Sequence, residues 1–135
     1  MQKILGYMRK AIEDYNMIEE GDKIALGHNE DDVLETFMLN LLYTGSINTF
    51  APMSYMDRSK MTLIRPLIYA PEKYIKSFVK RNNIEVMKKV CPMDGVSKWE
   101  DMKKMINDLR IDIPHIRANL YGAIKRNIKE WKKPE

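Results

Sequence analysis

The side chains best suited to chemistry are concentrated in one stretch, GDKIALGHNEDDVLET, residues 21–36. His28 is followed by Asp31, Asp32, Glu35 and Thr36. Residues four apart share a helix face, so Asp31 groups with Glu35 and Asp32 with Thr36. Carboxylates grouped in this way can hold Mg²⁺ against the phosphates of a nucleotide, because hard oxygen ligands suit that ion. The plainer alternative is that acids gather at a helix N-terminus, where the macrodipole is positive. A histidine beside two aspartates is a weak metal signal, with no further residue of ligand type close by in sequence.

An alternation of helices and strands must position these residues. Ile4, Leu5, Met8, Ala11, Ile12 and Tyr15 recur at helical spacing, which predicts an amphipathic helix over residues 3–17. Residues 20–22 form a turn, and 23–27 a short apolar strand that delivers the chain to His28. Val33, Leu34, Phe37, Met38, Leu41 and Leu42 form the buried stripe of a helix that begins near Asn29 and ends near Gly45. Residues 45–60 read as loop, and 62–65 as a second strand closed by Pro66. Pro71 and Glu72 open a helix that runs to Asn82 and Asn83. Residues 84–90 form a third strand and 91–95 a turn. Ser97 caps a helix whose buried side is Trp99, Met102, Met105, Ile106 and Leu109. Ile113, Ile116, Leu120, Ile124 and Ile128 step along a last helix with Pro114 in its first turn. In open parallel sheets ligands bind beyond the carboxyl ends of the strands, and His28 falls at such an end.

A chain of 135 residues fits one domain: an N-terminal helix and turn over 1–22, an α/β part over 23–90 and C-terminal helices over 91–135. No apolar run approaches the ~20 residues needed to span a bilayer, so no membrane partner is expected. Charges interrupt the apolar residues of MQKILGYMRKAIEDY, which is therefore not a secretory signal. The single cysteine, Cys91, excludes an internal disulfide framework and suits a reducing cytoplasm. The eleven methionines, at helical spacing, fill core. Charge is uneven: residues 1–44 sum to −5 and residues 45–135 to +9. A basic half of this kind can face nucleic acid phosphates, or it can simply be a set of solvated lysine-rich helix faces.

Three segments resemble one family. LGHNEDDVLETFMLNLLYTGSI, then LIRPLIYAPEKYI, then CPMDG are similar in order and spacing to the tRNA 2-thiocytidine biosynthesis proteins, within the PP-loop ATPases. IPHIRANLYGAIKRN resembles the closing helix of that family, and GYMRKAIEDYNMIEEGDKIA its opening helix. The resemblance implies an adenine-nucleotide alpha-hydrolase-like, Rossmann-like α/β fold, with a small parallel sheet and a helical C-terminal part. It implies that Asp31 and Asp32 are the Mg²⁺ and catalytic carboxylates, and that His28, Glu35, Thr36 and Arg65 line the nucleotide and substrate pocket. The Arg65 guanidinium could pair there with phosphate or with the acidic helix; a local structural ion pair is the alternative. Cys91 corresponds to one metal-ligating position of an iron–sulfur turn, or is a small buried hydrophobe. Lys73, Lys76, Lys80, Arg81, Lys88, Lys89, Lys125, Arg126 and Lys129 are the candidate tRNA contacts.

The reaction implied is ATP-dependent 2-thiolation of cytidine in tRNA. ATP adenylates the carbonyl oxygen of the base, and a sulfur carried on the protein's cluster or a persulfide, supplied by a donor such as a cysteine desulfurase, then displaces AMP. The cofactors implied are ATP, Mg²⁺ and a [4Fe–4S] cluster. The sequence departs from the family mildly at Asn29, where many members have a second histidine, and further in its phosphate-binding loop and its cluster ligands. No SGGxDS phosphate-binding loop occurs in it, and no first CxxC pair; the later turn keeps one of its two cysteines, Cys91, with Asp94 in the other position. One thiolate cannot hold such a cluster in a monomer. The chain therefore reads as a family member with an internal segment missing, the junction falling within Lys23–Ala25, and none of these cofactors is expected on this chain alone. A non-catalytic tRNA- or protein-binding remnant is the alternative function, and an unrelated small α/β interaction module a third. Loss of the neighbouring strand would leave residues 23–27 as an exposed apolar edge, which implies a homodimer or aggregate, or a marginally stable monomer.

Overall fold

Apolar residues at helical spacing bury one side of the first helix, α1 (Gln2–Tyr15), through Ala11 and Tyr15, and Met17 just beyond it is also buried. The computed structural model describes residues 2–21, 23–86 and 94–134. β1 (Lys23–Ala25) is shorter than the predicted strand, and residues 26–29 carry the chain to α2 (Glu30–Leu39). Asn29 caps α2 with a reciprocal box: its Oδ1 accepts from the Asp32 N–H at 3.0 Å, and Asp32 Oδ2 accepts from the Asn29 N–H at 2.9 Å.

Val33, Leu34, Phe37 and Met38 are buried as the stripe predicts, but Leu41 and Leu42 are not. The helix widens to a π-helical turn over Asn40–Thr44, closed by Gly45 at φ +64°. A wider turn shifts the phase of every following side chain, which carries Leu41 and Leu42 out of the stripe and onto the surface.

The predicted loop over 45–60 holds a strand. β2 (Met53–Met56) pairs antiparallel with β3 (Met61–Ile64) across a turn in which Lys60 takes φ +53°. β3 also pairs in parallel with β1, and the order is β1-β3-β2. The α/β class holds, but the sheet is mixed rather than wholly parallel. β1 is an edge, with Ile24 40% exposed.

α3 (Glu72–Arg81) follows Pro71, which stands at the cap position rather than inside the helix. Residues 84–86 form no strand, and the rest of that predicted element lies outside the described residues. α4 (Asp94–Asp112) begins before Ser97, so Ser97 does not cap it. Met102 and Ile106 are buried as predicted, whereas Trp99 and Met105 lie at the surface. α5 (Ile116–Asn127) starts after Pro114 and buries Ile116 and Ile124. A final 3-10 turn (Lys129–Trp131) brings Trp131 into the core. Its indole N–H donates to the Phe50 carbonyl at 3.0 Å, and its own carbonyl accepts from the Tyr15 hydroxyl at 2.8 Å. The C-terminal turn thereby joins α1, α5 and the loop before β2. Among the described residues no helix is long and apolar enough to cross a membrane.

Candidate functional site

Because β1 and β3 run in parallel, the residues just past their carboxyl ends meet. Arg65 Nε donates to His28 Nδ1 at 3.2 Å. Arg65 is buried, and its Nη1 also donates to the Ala51 carbonyl at 2.8 Å. His28 stacks on Phe50, with ring centroids 4.0 Å apart and 13° between planes. The guanidinium carbon lies 5.1 Å from the centroid of the same Phe50 ring. Burial first, and then the Arg65 charge, hold the His28 pKa below its ordinary value. A neutral imidazole that accepts at Nδ1 carries its proton on Nε2.

His28 opens onto a cavity of about 370 Å³ lined also by Asp32, Glu35, Phe50, Glu72, Trp99 and Lys103. Glu35 is 5% exposed. Burial, with the nearby carboxylates of Asp31, Asp32 and Glu72 adding to it against Lys103, pushes its pKa up to about 7. Lys103 Nζ reaches in from α4 to within 2.7 Å of Glu72 Oε2 and 3.8 Å of Glu35 Oε2. Trp99, one turn earlier on α4, donates its indole N–H to Thr36 Oγ1 at 3.1 Å.

Asp31 does not line this cavity. Its Oδ1 accepts from the Glu72 N–H at 3.0 Å and from Arg117 Nη2 at 2.8 Å, and Arg117 Nη2 also reaches Glu30 Oε1 at 3.1 Å. Among the described residues, the three carboxylates grouped closely enough to share a cation are Asp31, Glu35 and Glu72, with one oxygen from each lying within 4.8 Å of the others. Asp32 is not among them. Their donor type fits a divalent cation, and these three would hold one, but the Lys103 ammonium already answers their charge.

Of the predicted site residues, His28, Asp32 and Glu35 line one cavity, Thr36 meets its Trp99, and Arg65 supports it from beneath His28. Cys91, Lys88 and Lys89 lie outside the described residues. Lys76 lies 3.7 Å from Glu72, one helical turn away on α3. Lys80 and Arg81 are exposed at the end of α3, and Lys129 is exposed after α5. Arg126 folds its guanidinium over Gly122, where a Cβ would meet Nη1 at 2.8 Å. Lys73 and Lys125 face one cleft together. Sequence reasoning passed over Phe50, Glu72, Lys103 and Arg117 as site residues. Trp99 and Lys103 were legible as a pair, being four apart on one helix face. Phe50 and Arg117 reach the site only through the tertiary fold.

The PP-loop domain family matches residues 8–89. A tRNA-cytidine(32) 2-sulfurtransferase of Syntrophotalea carbinolica is 35% identical over 105 residues, which are 76% of this chain and 40% of the relative. The protein of that name from Citrifermentans bemidjiense is 37% identical over 105 residues, 76% of this chain and 41% of the relative. The one from Geobacter sp. strain M21 gives the same identity and the same shares. The chain thus spans about 40% of the length of these curated relatives.

Proposed function

Because this chain belongs to the PP-loop domain family, we propose that it is a homologue of an ATP-dependent tRNA-thiolating protein and that, on its own, it is catalytically incomplete. The relatives are tRNA-cytidine 2-sulfurtransferases by name. On this reading the His28 cavity is the remaining part of their nucleotide and base pocket, with tRNA as the partner and the cytoplasm as the setting.

One observation carries the incompleteness. Both carboxylates that would work on Mg²⁺ have structural duties. Asp32 closes the N-terminus of α2, and Asp31 binds Arg117 and the start of α3. In the sequence no SGGxDS loop supplies the backbone N–H groups that cradle a pyrophosphate. A triphosphate approaching Asp32, Glu35 and Glu72 would meet like charge with few compensating donors. A single Cys91 leaves a [4Fe–4S] cluster without enough thiolate ligands. The residues present therefore do not fit the cluster. The +9 half supports retained tRNA binding, which is the second reading: a remnant that binds RNA without modifying it.

The test is ATP binding. Equilibrium dialysis of the purified chain against micromolar ATP with Mg²⁺ is expected to give no saturable binding that depends on His28. Saturable binding that disappears in His28→Ala would contradict the proposal.

A further inference from the structure

A second cavity, of about 680 Å³, opens among all five helices and shares no lining residue with the His28 cavity. Its cations come from three of them: Lys73 on α3, Arg110 on α4, and Arg117 and Lys125 on α5. Arg117 is engaged by Glu30 and Asp31. Among the described residues the other three make no ion pair. Lys125 is half-buried, with Nζ 4.9 Å from the Tyr69 ring centroid and 5.7 Å from that of Tyr121. Burial, and then the like charges of Lys10 and Lys133, hold its pKa below the ordinary lysine value. An ammonium so placed gains from an arriving anion.

The walls are aromatic. Tyr7 stacks on Tyr74 with centroids 6.1 Å apart and 25° between planes, and Tyr121 closes another side. Lys73 and Lys3 sit 5.1 and 4.7 Å from the Tyr74 ring centroid. The floor carries Glu30 and Asp31, which accept hydrogen bonds and repel a bare anion. Three chemistries therefore meet: cations for a phosphate, ring faces for a flat ring, and carboxylates for hydroxyl or amino donors. Inorganic phosphate uses only the first, whereas a nucleotide uses all three. The volume is within the range of about 300–1,000 Å³ that suits small ligands.

We propose that this cleft is a second binding site, separate from the His28 cavity, for a phosphorylated nucleoside held between the tyrosines and the Lys73–Arg110–Lys125 cations. The shared chemistry is that of a free mononucleotide or of one nucleotide unit in an RNA strand.

The experiment is a heteronuclear NMR titration of the whole chain with inorganic phosphate, 5′-AMP and a single-stranded RNA pentamer in separate arms. Amide shifts at Lys73, Ala118 and Gly122 should move with 5′-AMP and with the pentamer, and inorganic phosphate should bind at least tenfold more weakly than 5′-AMP. Arg110→Gln combined with Lys125→Met should weaken both nucleotide arms tenfold or more. Arg110 is exposed, so Arg110→Gln alone, which keeps the fold, should still weaken them about threefold. A pentamer that binds more tightly than 5′-AMP assigns the site to RNA, and one that binds no tighter assigns it to a free nucleotide. The proposal is overturned by an unmoved cleft at millimolar ligand, by binding that survives both Arg110→Gln and the double substitution, or by phosphate binding as well as 5′-AMP.

Discussion

Lys103 Nζ lies 2.7 Å from Glu72 Oε2, an ion pair that joins the middle of α4 to the first turn of α3. The same ammonium stands 3.8 Å from the buried Glu35 carboxyl. One cation thus answers a group of carboxylates that otherwise offers the ligand set of a divalent ion. Helix α4 is held to the site by this charge and by the Trp99–Thr36 hydrogen bond as well as by Met102 and Ile106.

The Glu35 environment sets a pH dependence. Its folded pKa of about 7 stands above the ordinary 4.5, so across that window the folded chain keeps a proton that the unfolded chain has released. Stability contributed by this group is full below pH 4.5 and is lost as pH rises to about 7. At ~1.4 kcal/mol per pH unit the full loss is on the order of 3 kcal/mol. Glu35→Gln has no such proton to lose, so its stability relative to the parent chain should rise between about pH 5 and pH 8 in denaturant unfolding. A difference that stays constant over that range would contradict the assignment.

RNA binding should be electrostatic. Reversing Lys125, Arg126 and Lys129 to Glu should weaken tRNA binding and flatten its dependence on salt, because each phosphate no longer neutralised takes roughly 0.7–0.9 off the logarithmic slope. Filter binding between about 50 and 200 mM salt, a range over which such slopes are steep, measures this. Affinity that ignores ionic strength would reject the role of these side chains.

The open edge of β1 should promote self-association. Ile24 is 40% exposed on a strand whose second side is unpaired among the described residues. Sedimentation should show concentration-dependent association that Ile24→Lys suppresses, since an edge lysine discourages strand addition. A monodisperse parent chain that unfolds cooperatively as a monomer would contradict a homodimer through this edge.

The site was legible in the sequence where local rules decide it. The helix start at Asn29, the shared faces of Asp31 with Glu35 and of Asp32 with Thr36, and the buried Val33–Leu34–Phe37–Met38 stripe follow from 3.6-residue periodicity and capping. The π-helical turn over Asn40–Thr44 broke that periodicity without a compositional warning, which is why Leu41 and Leu42 were misplaced. β2 was hidden in a stretch rich in turn residues, although MSYM and MTLI flank a four-residue turn as a hairpin does. The meeting of Arg65 with His28 follows from the parallel pairing of β1 and β3, but the stacking of Phe50 and the reach of Arg117 across to Glu30 and Asp31 depend on how distant elements pack. No periodicity encodes that.

This PP-loop homologue is expected not to adenylate a base by itself. The direct measurement is AMP formation by the purified chain with ATP, Mg²⁺, tRNA and sulfide, with Asp32→Asn as the control. An asparagine there keeps an oxygen for the Asn29 N–H and removes only the charge, so the cap and the fold are preserved. The expected result is AMP release at the no-protein background for both proteins. Steady AMP release by the parent chain that vanishes in Asp32→Asn would contradict the claim and would mean that another segment supplies what the missing phosphate loop does not.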